Sequence, residues 1–158
     1  MKNIKIEIKW AVIFAIMSLL WMVLEKAVGL HDAHIDKHVI YTNFIAIPAI
    51  AVYVFGLLDK RKNFYHGKMT YLQSFISGMI ITAFVTVLSP LTQYITSTFI
   101  TPDYFQNAIA FGVSSGKTTQ EAAEAYFNLE NYIIQGLIGA PIMGLLTTAI
   151  VSIFTQKK

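Results

Sequence analysis

The sequence predicts an all-α polytopic membrane protein with four transmembrane helices arranged as two antiparallel hairpins. Charged residues make up 13% of the 158 residues, whereas a soluble domain carries roughly 25%. Val39–Leu58 and Tyr71–Ile100 contain no charged side chain, and apolar runs longer than about 18 residues are typical of helices that cross a membrane. A soluble helical domain of this composition would have too few polar residues to cover its surface.

A single membrane domain, residues 1–158, accounts for the chain. The predicted spans cover residues 8–29, 39–58, 71–99 and 130–154, and a longer connector covers residues 101–128. Leu30–His38 is short and polar, so the first two spans should form a hairpin. In the longer connector, Thr101-Pro102-Asp103 and Thr118-Thr119-Gln120-Glu121 are typical of helix starts. They predict short extra helices in the outer loop between helices three and four.

Two prolines affect the predicted spans. Pro48 removes a backbone donor from the middle of span two, which predicts a kink there. The thirty residues Tyr71–Ile100 would extend about 45 Å as one helix, which exceeds a hydrocarbon thickness of about 30 Å. Span three is therefore expected to tilt, to protrude, or to break at Ser89-Pro90.

The distribution of lysine and arginine predicts the orientation in the membrane. Short loops rich in these residues stay in the cytoplasm, and the segment Asp59–Lys68 is such a loop. Nine of the twelve cations fall on its side: Lys2, Lys5, Lys9, Lys60, Arg61, Lys62, Lys68, Lys157 and Lys158. The other three are Lys26, Lys37 and Lys117. Both termini and the central loop are therefore predicted to be cytoplasmic.

Glycines, aromatic residues and a lysine tail form a recognisable pattern from the central loop onward. They are Gly67-Lys68-Met69-Thr70-Tyr71, Phe75, Gly78, Glu121-Ala122, Phe127, Gly144 and the terminal lysines. This pattern resembles a bacterial membrane family of unknown function, the domain numbered 4199, over nearly the whole chain. The resemblance implies a small four-helix protein of the bacterial inner membrane. It implies no activity and no catalytic residue.

Three histidines are the candidate metal ligands. His31, His34 and His38 are spaced by three and four residues, which would place them on one face of a helix. Imidazole ligands suit zinc or another divalent metal. However, the connector is short and must reverse the chain, and solvated histidines need no metal. The sequence therefore predicts no bound metal and no cofactor.

Polar side chains within the spans are few. Asn43, Gln93 and Gln135 would be costly facing lipid, so they are expected to point inward and to hydrogen-bond between helices or line a small polar cavity. No charged residue lies firmly inside a predicted span, which argues against a proton-coupled transporter. Glu25 is expected at the end of the first helix, paired with Lys26 or a lipid headgroup.

Small residues recur on spans three and four. Gly136, Ala140 and Gly144 repeat every four residues, and Gly78 lies on span three. Such stripes let helix backbones approach closely. They predict packing between spans three and four, with a homodimer interface as the alternative.

The basic residues of the central loop allow a second interpretation. Lys60, Arg61 and Lys62 could bind anionic lipid headgroups. Fixing the orientation in the membrane is by itself a sufficient explanation for them.

The sequence favours a protein that is not an enzyme. It contains no catalytic-triad pattern, no glycine-rich phosphate loop, no zinc-protease motif and no cysteine. We expect a structural or accessory protein whose partners are the lipid bilayer and a membrane protein or a second copy, not nucleic acid. A small-molecule or ion carrier that uses the cavity of Asn43, Gln93 and Gln135 is the alternative. The hypothesis of a metal-dependent membrane enzyme is supported only by the three histidines.

Overall fold

The computed structural model describes residues 4–157, and most of them are helical. Lys2 and Lys158, two of the cations counted above, lie outside the described residues. The helices are α1 (Lys5–Ala27), α2 (Ile35–Tyr41), α3 (Ala46–Asn63), α4 (Tyr71–Ile95), α5 (Tyr104–Ser114), α6 (Gln120–Tyr126) and α7 (Leu129–Thr155). A 3-10 turn, Thr42–Ile45, joins α2 to α3, and a π-helical turn, Thr96–Ile100, ends α4. No β-strand occurs within residues 4–157.

Four helical segments of the described chain are long and apolar enough to cross a membrane. They are Lys5–Ala27, Ile35–Asn63, Tyr71–Ile100 and Leu129–Thr155. This confirms the predicted all-α class with four candidate membrane-spanning helices. The shorter helices α5 and α6 lie between the third and the fourth of them.

Contacts between helix ends define the direction of each helix. Lys60, near the end of α3, pairs with Glu7, near the start of α1. Ser74, near the start of α4, hydrogen-bonds Thr155, the last residue of α7, at 2.8 Å. Each of these two helix pairs is therefore antiparallel. Ser77 of α4 donates a hydrogen bond to Glu7, so α1 and α4 begin at the same end, and α4 packs against α1, α3 and α7.

The interior of the bundle contains small polar side chains beside its hydrophobic core, and its outer surface carries many large apolar side chains. Ser74, Thr82 and Thr148 are at most 1% exposed, whereas Leu20 and Val87 are 63% and 73% exposed. In water this arrangement would leave the apolar surface hydrated at a cost. In a membrane the apolar side chains face lipid and small polar residues pack between helices. The burial pattern therefore supports the membrane assignment independently of hydropathy.

The irregularity predicted at Pro48 lies before that residue. Pro48 occupies the first turn of α3, and the 3-10 turn Thr42–Ile45 precedes it. A proline ring clashes with the carbonyl four residues earlier in an α-helix, and that residue, Phe44, lies within the 3-10 turn. The chain thus changes helix type where the clash would occur.

Helix α4 does not break at Pro90. It continues to Ile95, where the π-helical turn begins. Pro90 has no N–H to donate to the carbonyl of Thr86. The Ser89 hydroxyl donates to that carbonyl instead, at 2.9 Å, so the acceptor freed by the proline is satisfied.

Candidate functional site

A buried carboxylate lies at the end of α1. Glu25 is 1% exposed, and the indole N–H of Trp21, one turn earlier, donates to its Oε1 at 2.5 Å. The predicted pairing of Glu25 with Lys26 is wrong, because Lys26 donates to the carbonyl of Ile100. Glu25 therefore points into the bundle and not toward the headgroups.

The turn after α1 brings His31 back to Glu25. The N–H of Leu30 donates to the carbonyl of Glu25 at 2.9 Å, and the N–H of Gly29 donates to that of Lys26 at 3.0 Å. This pair of bonds is the Schellman motif, which places a residue of left-handed conformation after the helix. Gly29, with φ of +78°, supplies that conformation. The chain then reverses, and His31 is only 4% exposed.

Two imidazoles meet the same carboxylate oxygen. His31 Nε2 lies 3.0 Å from Glu25 Oε2, and His38 Nε2, from α2, lies 3.4 Å from it. We call these three residues the glutamate–histidine cluster. His34 is exposed and does not belong to it. Residues 31–34 form a turn and α2 begins at Ile35, so the helical spacing that would align all three histidines does not exist.

Aromatic and amide side chains from other helices enclose the cluster. The ring centroid of Tyr104, on α5, lies 5.1 Å from that of His31 and 5.2 Å from that of His38. Its hydroxyl lies 3.3 Å from that of Tyr132, on α7. Burial raises the pKa of Tyr104, so this phenol stays protonated at neutral pH. Asn107 donates to the backbone carbonyl of His31 at 2.9 Å and fixes the turn.

Two cavities adjoin the glutamate–histidine cluster. The smaller, about 190 Å³, is bordered by His31 and His38 together with Thr42, Gln93, Tyr104 and Tyr132. The larger, about 420 Å³, shares His38 and Tyr104 with the cluster and extends between α5 and α6. Its walls are mainly apolar and aromatic, and Lys117 lies at its edge.

A second buried charge lies at the opposite end of the bundle. Glu7 is 1% exposed and pairs with Lys60 at 2.9 Å, and Ser77 donates to it at 2.8 Å. Two carboxylates that the sequence analysis did not expect inside the bundle are thus buried on α1, one toward each end. The signal was present in the sequence, because Glu7 and Glu25 are 18 residues apart, which is five helical turns, so both face the same side of α1.

The three amides proposed for a shared cavity are not brought together. Asn43 is exposed and donates to the carbonyl of Val39, in its own helical segment. Gln93 donates to Ser97 at 2.9 Å and borders the smaller cavity beside the cluster. Gln135 is exposed, accepts from a tyrosine hydroxyl at 3.4 Å and borders a different cavity.

The small-residue stripe lies where α4 and α7 cross. A Cβ added to Gly78 would meet Thr148 of α7 at 2.5 Å, and one added to Gly144 would collide with Thr82 of α4. Gly136 faces Ser89 of α4 at ordinary contact distance, and Ala140 packs against the hydrophobic core. The stripe is therefore used within the chain to bring two helices together.

Two of the three candidate lipid-binding cations are engaged by the protein itself. Lys60 pairs with Glu7, and Arg61 donates to the carbonyl of Thr155 at 2.9 Å. Helix α3 extends to Asn63, so these cations lie in its last turn, where the helix dipole favours them. Lys62 is exposed, and an anionic lipid contact at this end stays a prediction.

A family model matches nearly the whole chain. The model of a family described as a protein of unknown function (DUF4199) matches residues 9–157. No curated protein and no solved structure matches the chain. The family match includes nearly all of the described residues and confirms the resemblance found in the sequence.

Proposed function

The chain belongs to the DUF4199 family of proteins of unknown function, and we propose that it is a non-enzymatic integral membrane protein that acts by binding a small molecule. One observation supports this proposal, the cavity of about 420 Å³ that adjoins the glutamate–histidine cluster. Cavities of about 300–1,000 Å³ with apolar walls and a few polar groups are typical of small-molecule sites. In this role the protein is accessory to whatever process supplies or uses the ligand.

The walls of the cavity suggest the chemistry of the ligand. Val39, Phe111 and Phe127 offer apolar contacts, while His38 and Lys117 offer polar groups at two places on its border. An amphipathic molecule with a polar or anionic head matches this distribution. The cavity lies at the bundle end to which the sequence analysis assigns only three of the twelve lysine and arginine residues. This distribution supports a cavity on the outer side of a bacterial inner membrane, with both termini cytoplasmic.

A cavity-filling variant tests the proposal. Ala122 is exposed on α6 and lines the cavity, so Ala122→Trp should fill it without overpacking the core. Ala125, exposed on the same helix but outside the lining, gives the control Ala125→Trp. After extraction in native lipid discs, native mass spectrometry should find a bound small molecule in the wild type and in Ala125→Trp, and none in Ala122→Trp. A wild type without any adduct, or equal adducts in all three proteins, would contradict the proposal.

A proton or cation carrier is the second candidate, and the buried Glu7 and Glu25 favour it, since intramembrane carboxylates are typical of ion pathways. The two are about 27 Å apart along α1. On the neighbouring helix α4, the hydroxyls of Thr82 and Thr86 donate to carbonyls of their own helix. These two hydroxyl protons are therefore used within α4 and do not link the two carboxylates. Proteoliposomes with an internal pH dye and an imposed potassium potential would test this candidate. Proton uptake that Glu25→Gln abolishes would support it, and uptake equal to that of protein-free liposomes would exclude it.

A further inference from the structure

We propose that Glu25, His31 and His38 form a binding site for a divalent transition-metal ion of the zinc type. Each residue offers one ligand atom, and the three atoms lie within 4.8 Å of one another. The sequence alone favours no metal at the histidines. The structure changes that interpretation because the third candidate ligand is the buried carboxylate of Glu25 and not the exposed His34. The site shares His38 with the border of the small-molecule cavity, but metal binding does not require a ligand in that cavity.

Two of the three distances between ligand atoms are close to those of a tetrahedral site. Zinc binds imidazole nitrogen and carboxylate oxygen at about 2.0–2.2 Å, so neighbouring ligand atoms of a tetrahedral site lie about 3.4 Å apart. Glu25 Oε2 lies 3.0 Å from His31 Nε2 and 3.4 Å from His38 Nε2. The ligand atoms of His31 and His38 lie within 4.8 Å of each other, so side-chain rotations would complete the site.

The charge of the buried carboxylate is compatible with a bound cation. A buried carboxylate is costly unless a cation compensates it. At the opposite end, Lys60 supplies a full positive charge to Glu7 at 2.9 Å. Within residues 4–157, Glu25 forms its ion pairs with His31 and His38, and an imidazole binds a metal ion in its neutral form. A divalent cation between the three ligands compensates the carboxylate fully.

Surrounding groups contact two of the three ligands, Glu25 and His38, as outer partners do in metal sites, whereas the buried Nδ1 of His31 has no hydrogen-bond partner among residues 4–157. Trp21 donates to the second oxygen of Glu25, and the Tyr104 hydroxyl lies 3.5 Å from the far nitrogen of His38. The cavity of about 190 Å³ beside His31 and His38 leaves room for a water at a fourth coordination position. Two imidazoles and a carboxylate select zinc-type ions over magnesium or calcium, which prefer all-oxygen ligands.

Metal titration of the full chain, purified with a tag that contains no histidine, tests the site. Elemental analysis and calorimetry with Zn²⁺ should give one ion per chain, and Mg²⁺ should not compete. Co²⁺ should give visible absorption bands, which report ligand geometry without any variant. Glu25→Gln and His38→Ala should weaken Zn²⁺ binding at least about 100-fold, which exceeds the 10–100-fold typical of outer-shell changes.

His34→Ala is the matched control, since His34 is exposed in the same connector, and it should bind Zn²⁺ like the wild type. Thermal melting without metal shows whether each variant folds. If Glu25→Gln does not fold, the Zn²⁺ affinity of His38→Ala and the Co²⁺ spectrum of the wild type decide whether the metal site exists. Absence of stoichiometric Zn²⁺ and of Co²⁺ bands, or equal losses in His34→Ala and His38→Ala, would overturn the metal site and leave the small-molecule proposal untouched.

Discussion

Lys60 shows how single residues satisfy charge inside an apolar bundle. It is 3% exposed, and its ammonium pairs with Glu7 and lies 3.8 Å from the ring centroid of Phe64. The cation thus has a carboxylate on one side and an aromatic face on another, which is a favourable position for a desolvated ammonium. The pair also ties the end of α3 to the start of α1.

Replacing Lys60 should therefore destabilise the protein strongly. Removing one partner of a buried ion pair leaves an uncompensated charge and typically costs about 3–5 kcal/mol. Lys60→Met should lower the melting temperature in detergent, whereas Lys62→Met, at an exposed position, should not. The double variant Glu7→Gln with Lys60→Met should recover much of the loss, because it removes both charges. Equal melting of Lys60→Met and Lys62→Met would refute the buried pair.

Ser89 provides a second test at the residue scale. Its hydroxyl replaces the missing donor of Pro90 at the partly buried Thr86 carbonyl, and a fully buried acceptor left unsatisfied costs about 1–3 kcal/mol. Ser89→Ala should lower the melting temperature modestly. In a Pro90→Ala background, the backbone N–H of the new alanine donates a hydrogen bond to the Thr86 carbonyl. Adding Ser89→Ala should then change the melting temperature little. Additive effects of the two substitutions would contradict this role.

At the scale of helices, the crossing of α4 and α7 depends on two reciprocal contacts. Gly78 of α4 receives the side chain of Thr148, and Gly144 of α7 receives that of Thr82. Each glycine thus accommodates a threonine of the partner helix. The threonine of one contact lies one turn from the glycine of the other, so the two contacts form a single close-packed region.

A single methyl group should disturb this crossing. In Gly144→Ala the new Cβ collides with Thr82, and overpacking of a tight contact typically costs about 1–3 kcal/mol. Gly139→Ala is the matched control, because nothing lies within 4 Å of a Cβ at Gly139 and alanine favours helix more than glycine. Gly144→Ala should therefore melt at a lower temperature than the wild type, and Gly139→Ala at the same or a higher one. If Gly139→Ala melted at a lower temperature than Gly144→Ala, the small-residue stripe would face lipid and not α4.

The sequence predicted the membrane helices better than it predicted which side chains meet between them. Long uncharged runs indicate membrane helices directly, and the glycine spacing of α7 indicated a close packing face. The partner of a buried charge is not encoded locally. Glu7 meets Lys60, which is 53 positions away, and the cluster needs a turn at Gly29 that the histidine spacing does not reveal. The position of a side chain along its helix and the packing of α4 against α7 could be predicted, but the other contacts between helices required the fold.

At the scale of the whole molecule, the two ends of the bundle differ. At the Glu7 end, Met69 and Lys157 exchange two backbone hydrogen bonds of 2.8 Å, so the central loop and the C-terminal segment lie side by side. At the other end, Glu25, His31 and His38 adjoin two cavities. Both proposed binding sites therefore lie at the same end of the bundle.

Cysteine labelling should decide which side that is. The chain has no cysteine, so single cysteines report their own positions without background. Ser114 and Lys62 are both exposed and lie at opposite ends of the bundle. Because lysine and arginine concentrate at the Lys62 end, that end should be cytoplasmic. A membrane-impermeant maleimide applied to intact spheroplasts should label Ser114→Cys and should label Lys62→Cys only after permeabilisation. Labelling of Lys62→Cys in intact spheroplasts would reverse the orientation and place the glutamate–histidine cluster and the small-molecule cavity in the cytoplasm.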